Sequence, residues 1–222
     1  MFAAKDGILK RDPSRFSPHT IIPSLIRLRT TILDVGCNAG YLGKELKKRE
    51  IICDGVDKNI DALKIAKKFY RRVYVRDLYR PMLSLGQRTY DYIVFADILE
   101  HVPRPDLLLK NSLTYLASNG RIIISIPNVA RIEYRIKHLL GNFDYEPGIL
   151  SPDHLRFFTK KSAKRMIYES GLRIQTVIPT GAGMQLPFFN NLFAFQFIFV
   201  CHIASSLRES VKKTKTQGKM RK

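Results

Sequence analysis

Residues 32–41, Ile-Leu-Asp-Val-Gly-Cys-Asn-Ala-Gly-Tyr, restrict this chain more than any other stretch. A short apolar run ends in an acidic residue and breaks into a glycine turn, the pattern of a strand delivering a ligand-binding loop. Leu42 and Leu46 follow at helical spacing among Lys44, Glu45, Lys47 and Lys48, so the loop is expected to open an amphipathic helix. Gly36 permits a turn that a side chain would obstruct, and Gly40 lets the helix start lie close to strand and ligand. A second strand-like run, residues 51–57, ends in Asp57, about 20 residues beyond the loop, where ribose-binding carboxylates sit. Two strands and a helix of this kind make one nucleotide half-site. The competing reading is an ordinary βαβ unit with acidic loop ends.

The rest of the chain alternates strand and helix patterns. A breaker-rich loop around Arg11–Pro18 precedes Ile21, Ile22, Leu25, Ile26 and Leu28, read as a short helix after Pro23; Phe16 and His19 either cover a ligand at the glycine loop or pack the domain edge. Asn59 caps a helix carrying Ile60, Leu63 and Tyr70, and Val73–Val75 is a short third strand. Residues 90–97 read as a fourth strand, nearly continuously apolar and so covered on both faces. Pro105 and Asp106 start a helix that leaves at Gly120, before a fifth strand over residues 122–126. Val129, Ile132, Ile136 and Leu139 or Leu140 define another helix, ended by Gly141. The loop that follows, through Asn142, Pro147, Gly148 and Pro152, is the natural place for a substrate lid. Thr159 caps a helix with Ala163, Met166 and Ile167; residues 172–178 read as a strand; Gly181 and Gly183 give a connection. The last apolar run, residues 192–200, is shorter than the roughly 20 residues a membrane span needs and favours a final strand.

At 222 residues the chain suits one substantial domain with small appended segments. Three separated cysteines without a CxxC or zinc spacing point to reduced thiols. With no charged-then-apolar leader, a cytoplasmic protein is expected, peripheral at most to the inner membrane face. The net charge of +19 creates a field that attracts phosphate-rich or anionic-lipid partners without choosing between them. Much of it lies at the end, where Arg208, Lys212, Lys213, Lys215, Lys219, Arg221 and Lys222 face only Glu209, a composition expected to be solvated and disordered.

Taken together, several motifs carry a family likeness over roughly Ser14 to Val200. They are Leu33-Asp34-Val35-Gly36-Cys37-x-x-Gly40, Gly55-Val56-Asp57, Arg76-Asp77-Leu78, Tyr90-Asp91-Tyr92-Ile93-Val94, Leu99-Glu100-His101-Val102, and the run from Gly120 to Asn128. The chain resembles a class I S-adenosylmethionine-dependent methyltransferase, of the group similar to ubiquinone-pathway O-methyltransferases. The resemblance implies an α/β, Rossmann-like fold: a seven-stranded, mostly parallel sheet with helices on both faces and an antiparallel last strand beside the sixth. It divides the chain into an N-terminal cap (1–30), a methyltransferase domain (31–203) with a lid (141–158), and the basic tail (204–222). It implies that Asp34, Gly36, Cys37, Asn38 and Gly40 hold the methionine end of S-adenosylmethionine. Asp57 with Lys58 would hold the ribose, Asp77 and Leu78 the adenine, and the Ala96 carbonyl the methionine amino group. Asn38 stands where glycine is commoner, a change that turns tolerate. An NAD(P) dehydrogenase also uses a glycine loop, but Asp34 before Gly36 and the later Leu-Glu-His-Val stretch argue against it.

Methyl transfer is an in-line displacement at a sulfonium, and a hydroxyl acceptor must also lose a proton. Asp97, Glu100 and His101, at i, i+3 and i+4, are expected on one side of a turn after the fourth strand, with His154 joining from the lid. Likeness to the ubiquinone-pathway and small-RNA 2′-O-methyltransferases makes these four a metal set for Mg²⁺, Mn²⁺ or Zn²⁺. The alternatives are His154 as a metal-free general base, with Glu100 and His101 as helpers, or plain structural hydrogen bonding. Arg156 either meets an anionic acceptor or pins the lid. The expected function is O-methylation of a small or lipid-linked hydroxyl acceptor. RNA 2′-O-methylation is the alternative, as is a non-catalytic cofactor-binding module held at anionic membranes by the tail and the apolar run before it.

Overall fold

The computed structural model describes residues 17–80, 82–86, 88–181 and 187–205. The expectations for Phe16, Gly183 and the basic residues from Arg208 onward lie outside these. The strands are β1 (Thr31–Val35), β2 (Ile52–Asp57), β3 (Arg72–Val75), β4 (Tyr90–Ala96), β5 (Leu116–Pro127), β6 (Leu172–Pro179) and β7 (Gln196–Ile203). They form one sheet in the order β3-β2-β1-β4-β5-β7-β6. Neighbours run parallel from β3 to β5, and β7 is antiparallel to both β5 and β6. This is the sheet the resemblance implied, with the last strand slotted between the fifth and sixth.

Alternation along the central strands splits the core in two. Leu33 and Val35, Ile93 and Phe95, Ile122 and Ile124, and Phe197 and Phe199 pack on one face. Their sequence neighbours Ile32, Tyr92, Val94, Ile123 and Ile198 pack on the other. Strands apolar at every position are the form a sheet takes when helices cover both sides. Those helices are α1 (Pro18–Leu25), α2 (Tyr41–Lys47), α3 (Ile60–Ala66), α4 (Pro105–Ser112), α5 (Ile132–Leu139), α6 (Lys160–Glu169) and the single turn α7 (Asn190–Phe193). Asn59 caps α3 by accepting from the Asp61 and Ala62 amides, and Thr159 forms a capping box with Ser162 at the head of α6.

Three element expectations are corrected. The first helix begins at Pro18 and contains Pro23 rather than following it; proline at the first helical position already has the required φ and needs no amide partner. The fifth strand starts at Leu116, so Gly120 lies inside it, where a Cβ would collide with the Leu116 side chain at 2.8 Å. The final strand covers Gln196–Ile203 and residues 190–193 form α7, because pairing with β5 and β6 sets the register and not the start of the apolar run. Every residue of β7 except His202 is buried, which removes this run as a membrane-contact element. Among the described residues, no helix is long and apolar enough to cross a membrane.

The chain leaves β1 toward β2 and β3, then returns on the other side of β1 as β4. The crevice outside the carboxyl ends of β1 and β4 is therefore the switch point, where open α/β sheets place ligands.

Candidate active site

A cleft of about 820 Å³ opens at this edge, lined by Gly36, Asn38, Asp57, Lys58 and Leu78 at one end and by Glu100, His101, His154 and Phe195 at the other. At the first end the chain turns sharply after β1. Gly36 has φ +81°, and a Cβ there would lie 2.5 Å from Ile98, the second residue after β4. Gly40, at φ +87°, lies against Tyr70 and the Ala66 backbone, where a Cβ would meet both at about 3.0 Å. Both positions need glycine for conformation and for space. Asn38 adopts φ 46°, a region asparagine enters readily, and its Oδ1 accepts the Ala39 amide at 2.7 Å.

Asp57 ends β2 nearly buried and is held by backbone: Oδ2 accepts the Asn38 amide at 2.8 Å and Oδ1 the Asn59 amide at 2.9 Å. A carboxylate offers about four acceptor positions, so about two remain for hydroxyls in the cleft. The Lys58 ammonium lies over the Tyr79 ring, 4.6 Å from its centre, and both residues line the cleft beside buried Leu78. Asp77 is exposed and spends Oδ1 on the Tyr79 amide.

Asp34 does not face the cleft. It is buried behind the loop, where the Tyr70 hydroxyl donates to Oδ2 at 2.5 Å and in turn accepts the Gly43 amide at 3.1 Å. Burial pushes its pKa up to about 7, with the Tyr70 hydrogen bond opposing and the Asp57 charge adding to the rise. Cys37 is buried too, and loss of solvent drives its thiol far above the ordinary range. Ala96 lines a separate recess of about 20 Å³ with His19, Tyr41 and Leu42. The part played by Tyr70 escapes a sequence reading, since a tyrosine at helical spacing reads as core.

At the other end, residues after β4 fold into a 3-10 turn, Leu99–His101. The Glu100 carbonyl accepts the Leu155 amide at 2.8 Å and the Arg156 amide at 3.0 Å, which fastens the lid onto this turn. Arg156 donates to the Pro103 carbonyl at 2.6 Å, the pinning alternative of the two expected. Nδ1 of His101 faces the Asp153 carbonyl at 3.0 Å and Nδ1 of His154 faces the Ile149 carbonyl at 2.8 Å. A carbonyl only accepts, so each neutral ring carries its proton on Nδ1 and keeps Nε2 as the lone-pair nitrogen. The two rings meet edge to face at 4.6 Å.

Glu100 lies beside them with 1% of its surface exposed, and neither carboxylate oxygen has a hydrogen-bond partner. Burial, then the charge of Asp97, raises its pKa well above the carboxylate range. Burial also lowers the pKa of His154, helped by His101. One ligating atom from each of Glu100, His101 and His154 lies within 4.8 Å of the others.

Asp97, expected as a fourth member, is turned elsewhere. Its Oδ1 accepts from the Ser125 hydroxyl and the Gln196 amide group, which bridge the ends of β5 and β7. It sits at φ 52°, so the chain bends sharply there and the carboxylate joins the sheet edge rather than the histidines. Ser125 and Gln196 are invisible to sequence spacing because they meet Asp97 only through strand order.

A family sequence model described as a methyltransferase domain matches residues 6–177. The chain is 26% identical over 149 residues to a ubiquinone biosynthesis O-methyltransferase of Glaesserella parasuis, covering 59% of this chain and 63% of that protein. It is 30% identical over 156 residues to the protein of the same name from Coxiella burnetii, covering 64% and 66%. The chain thus spans just under two thirds of the length of these relatives. In fold it is similar to an S-adenosylmethionine-dependent methyltransferase of Aquifex aeolicus, with a TM-score of 0.61 at 18% identity over 87% of this chain and 94% of the other. A methyltransferase of the same dependence from Methanosarcina mazei gives 0.61 at 17% identity, covering 88% and 99%. With its glycine turn, its Asp57 and the strand order that brings them to one crevice, the chain belongs to the methyltransferase-domain family and has the class I fold.

Proposed function

We propose that this protein transfers a methyl group from S-adenosylmethionine to a hydroxyl of a small or lipid-linked acceptor, with Glu100, His101 and His154 governing the acceptor's proton. The cofactor lies with its ribose on Asp57 and Lys58, its adenine along Leu78, and its methionine end at the Gly36–Gly40 turn and the Ala96 carbonyl. The acceptor oxygen attacks the methyl carbon, the S–CH₃ electron pair stays on sulfur to give S-adenosylhomocysteine, and the hydroxyl proton leaves toward the histidines. Lid and turn supply alignment and exclusion of water.

The observation that carries the reading is the partnerless buried carboxylate of Glu100 beside two lone-pair nitrogens. A buried acid without a donor is costly unless it holds a proton or faces a cation. One carboxylate and two imidazole nitrogens with open positions suit Mg²⁺, Mn²⁺ or Zn²⁺, and such an ion lowers the pKa of a hydroxyl bound to it. In the metal-free alternative His154 takes the proton on Nε2, for which its lowered pKa keeps it neutral.

Tritium transfer from labelled S-adenosylmethionine into lipid, small-molecule and RNA fractions of a cell extract tests the proposal, with and without chelator. Label is expected in lipid or small molecules; label in RNA would move the acceptor to a ribose 2′-hydroxyl, and transfer that ignores chelator leaves His154 as the base. Glu100→Gln is expected to lower transfer by about 100-fold or more, while calorimetry gives an unchanged affinity for S-adenosylhomocysteine.

A further inference from the structure

Helix α5 is built inside out. Ile132, Ile136, Leu139 and Leu140 share an arc of about 100° on the helix, and Tyr134 lies on the opposite side. The side turned to the protein is that of Tyr134, the one buried residue of the helix, which packs with Ile149 and Leu150 of the lid. The apolar arc faces outward instead: Leu139 is 86% exposed, Leu140 70% and Ile136 50%. Phe143 and Tyr145 carry the exposed apolar surface into the lid, and Tyr145 and Leu155 are exposed while also lining the cleft. An apolar stripe of this length left in water marks a contact site.

We infer that the outward stripe of α5 and the start of the lid dock onto an anionic lipid bilayer, so that the cleft opens beside the membrane surface. A helix with an apolar face and flanking cations is the form that lies in a bilayer interface. Around the stripe, residues 131–140 carry Arg131, Arg135 and Lys137 against Glu133 alone. The lid adds Asp144, Glu146 and Asp153, of which Glu146 is already paired with Lys137 at 2.6 Å. The attraction is therefore set by the apolar stripe and by the chain's +19, which draws it to anionic lipid and opposes a second copy of itself on the same face.

The stripe is also connected to the chemistry. His138 stacks on Phe143 at 4.5 Å, Phe143 on Phe157 at 6.3 Å, and Phe157 on His154 at 6.4 Å, a run of ring contacts from the surface helix to the Glu100 cluster. The Lys137–Glu146 pair ties helix to lid in the same place. A lipid-linked acceptor would enter past Tyr145 and Leu155 without crossing water. That route rests on the methyl-transfer reading above; the docking does not.

The chain contains no tryptophan, so Leu139→Trp places one fluorophore on the stripe. The full chain carrying it is mixed with vesicles of phosphatidylglycerol and phosphatidylcholine and followed by emission and by co-sedimentation. Docking predicts that the protein pellets, that emission shifts to the blue, and that adding Leu140→Asp weakens binding by about tenfold or more. Pelleting with unshifted emission would assign the contact to another basic region and overturn the inference, as would no pelleting. A blue shift that grows with protein concentration in the absence of lipid would give the stripe to a second copy and would overturn it equally. Affinity for S-adenosylhomocysteine, measured by calorimetry on the same variants, reports the cofactor site separately, so the two readings fail independently.

Discussion

At the cofactor end of the cleft each buried carboxylate has donors in place, whereas at the acceptor end Glu100 has none. Asp57 is gripped by two backbone amides and Asp34 by the Tyr70 hydroxyl. Glu100 is as deeply buried, yet its oxygens meet only the histidines' side of the cleft. The first end is finished before any ligand arrives, because turn, strand end and cap are neighbours in sequence and the backbone supplies the donors. The second end joins residue 100 to residue 154 through a lid and keeps one charge unmet. A common cofactor needs a fixed cradle, while the group that handles an acceptor's proton must be able to change its protonation or its partner.

The sharpest test of this contrast is Asp57→Ala. It removes the acceptor for ribose hydroxyls and orphans the Asn38 and Asn59 amides that shape the loop, so affinity for S-adenosylhomocysteine should fall by about 100-fold, given about 1.5–3 kcal/mol for hydrogen bonds to a charged group. Glu100→Gln in the same calorimetric titration should leave affinity within about twofold, since each tenfold needs about 1.4 kcal/mol of lost contact. Equal losses in the two variants would mean that the ends are one coupled unit and break the comparison.

The same division decides what the sequence can reveal. Asp34, Asp57 and the caps Asn59 and Thr159 act on residues within a few positions or at a strand's end, so spacing exposes them. The strand order follows from the alternation of apolar runs together with the family likeness. Spacing alone misplaces Asp97 because its true partners, Ser125 and Gln196, are 28 and 99 residues away and approach only once β7 slots between β5 and β6. The α5 stripe reads as core because periodicity reports that a helix has an apolar face, not which way that face turns. Tyr134, a single ring, fixes the opposite side inward.

A smaller effect sharpens what a satisfied carboxylate means. Asp34 has its donor and is nevertheless raised by burial to about 7. Raised in the fold relative to the unfolded chain, it makes the native state bind the extra proton, so its contribution to stability is full below about pH 4 and declines as pH rises to about 7. The decline between pH 5 and 7 should be on the order of 2 kcal/mol, read by urea melts at each pH, and Asp34→Asn should flatten it. A wild-type profile that rises with pH over this range, after correction by the Asn variant, would show that Asp34 is ionised throughout.

The smallest expected change comes from Tyr70→Phe, which removes one oxygen and keeps the ring against Gly40. Two hydrogen bonds go with it, the one donated to Asp34 and the one accepted from Gly43. A typical net contribution of about 1 kcal/mol for such a bond sets the scale of the loss at neutral pH. The sign of the pH effect is the more informative part. Because the Tyr70 hydrogen bond lowers the Asp34 pKa, its removal raises that pKa further and moves the declining part of the stability curve to higher pH. The variant should therefore lie closer to wild type at pH 5, where Asp34 is protonated in both, than at pH 8, where only the wild type offers the ionised carboxylate a donor. A penalty independent of pH would mean that the hydroxyl serves the Gly43 amide alone, and that the cofactor end owes its rigidity to the helix start and not to the acid behind it.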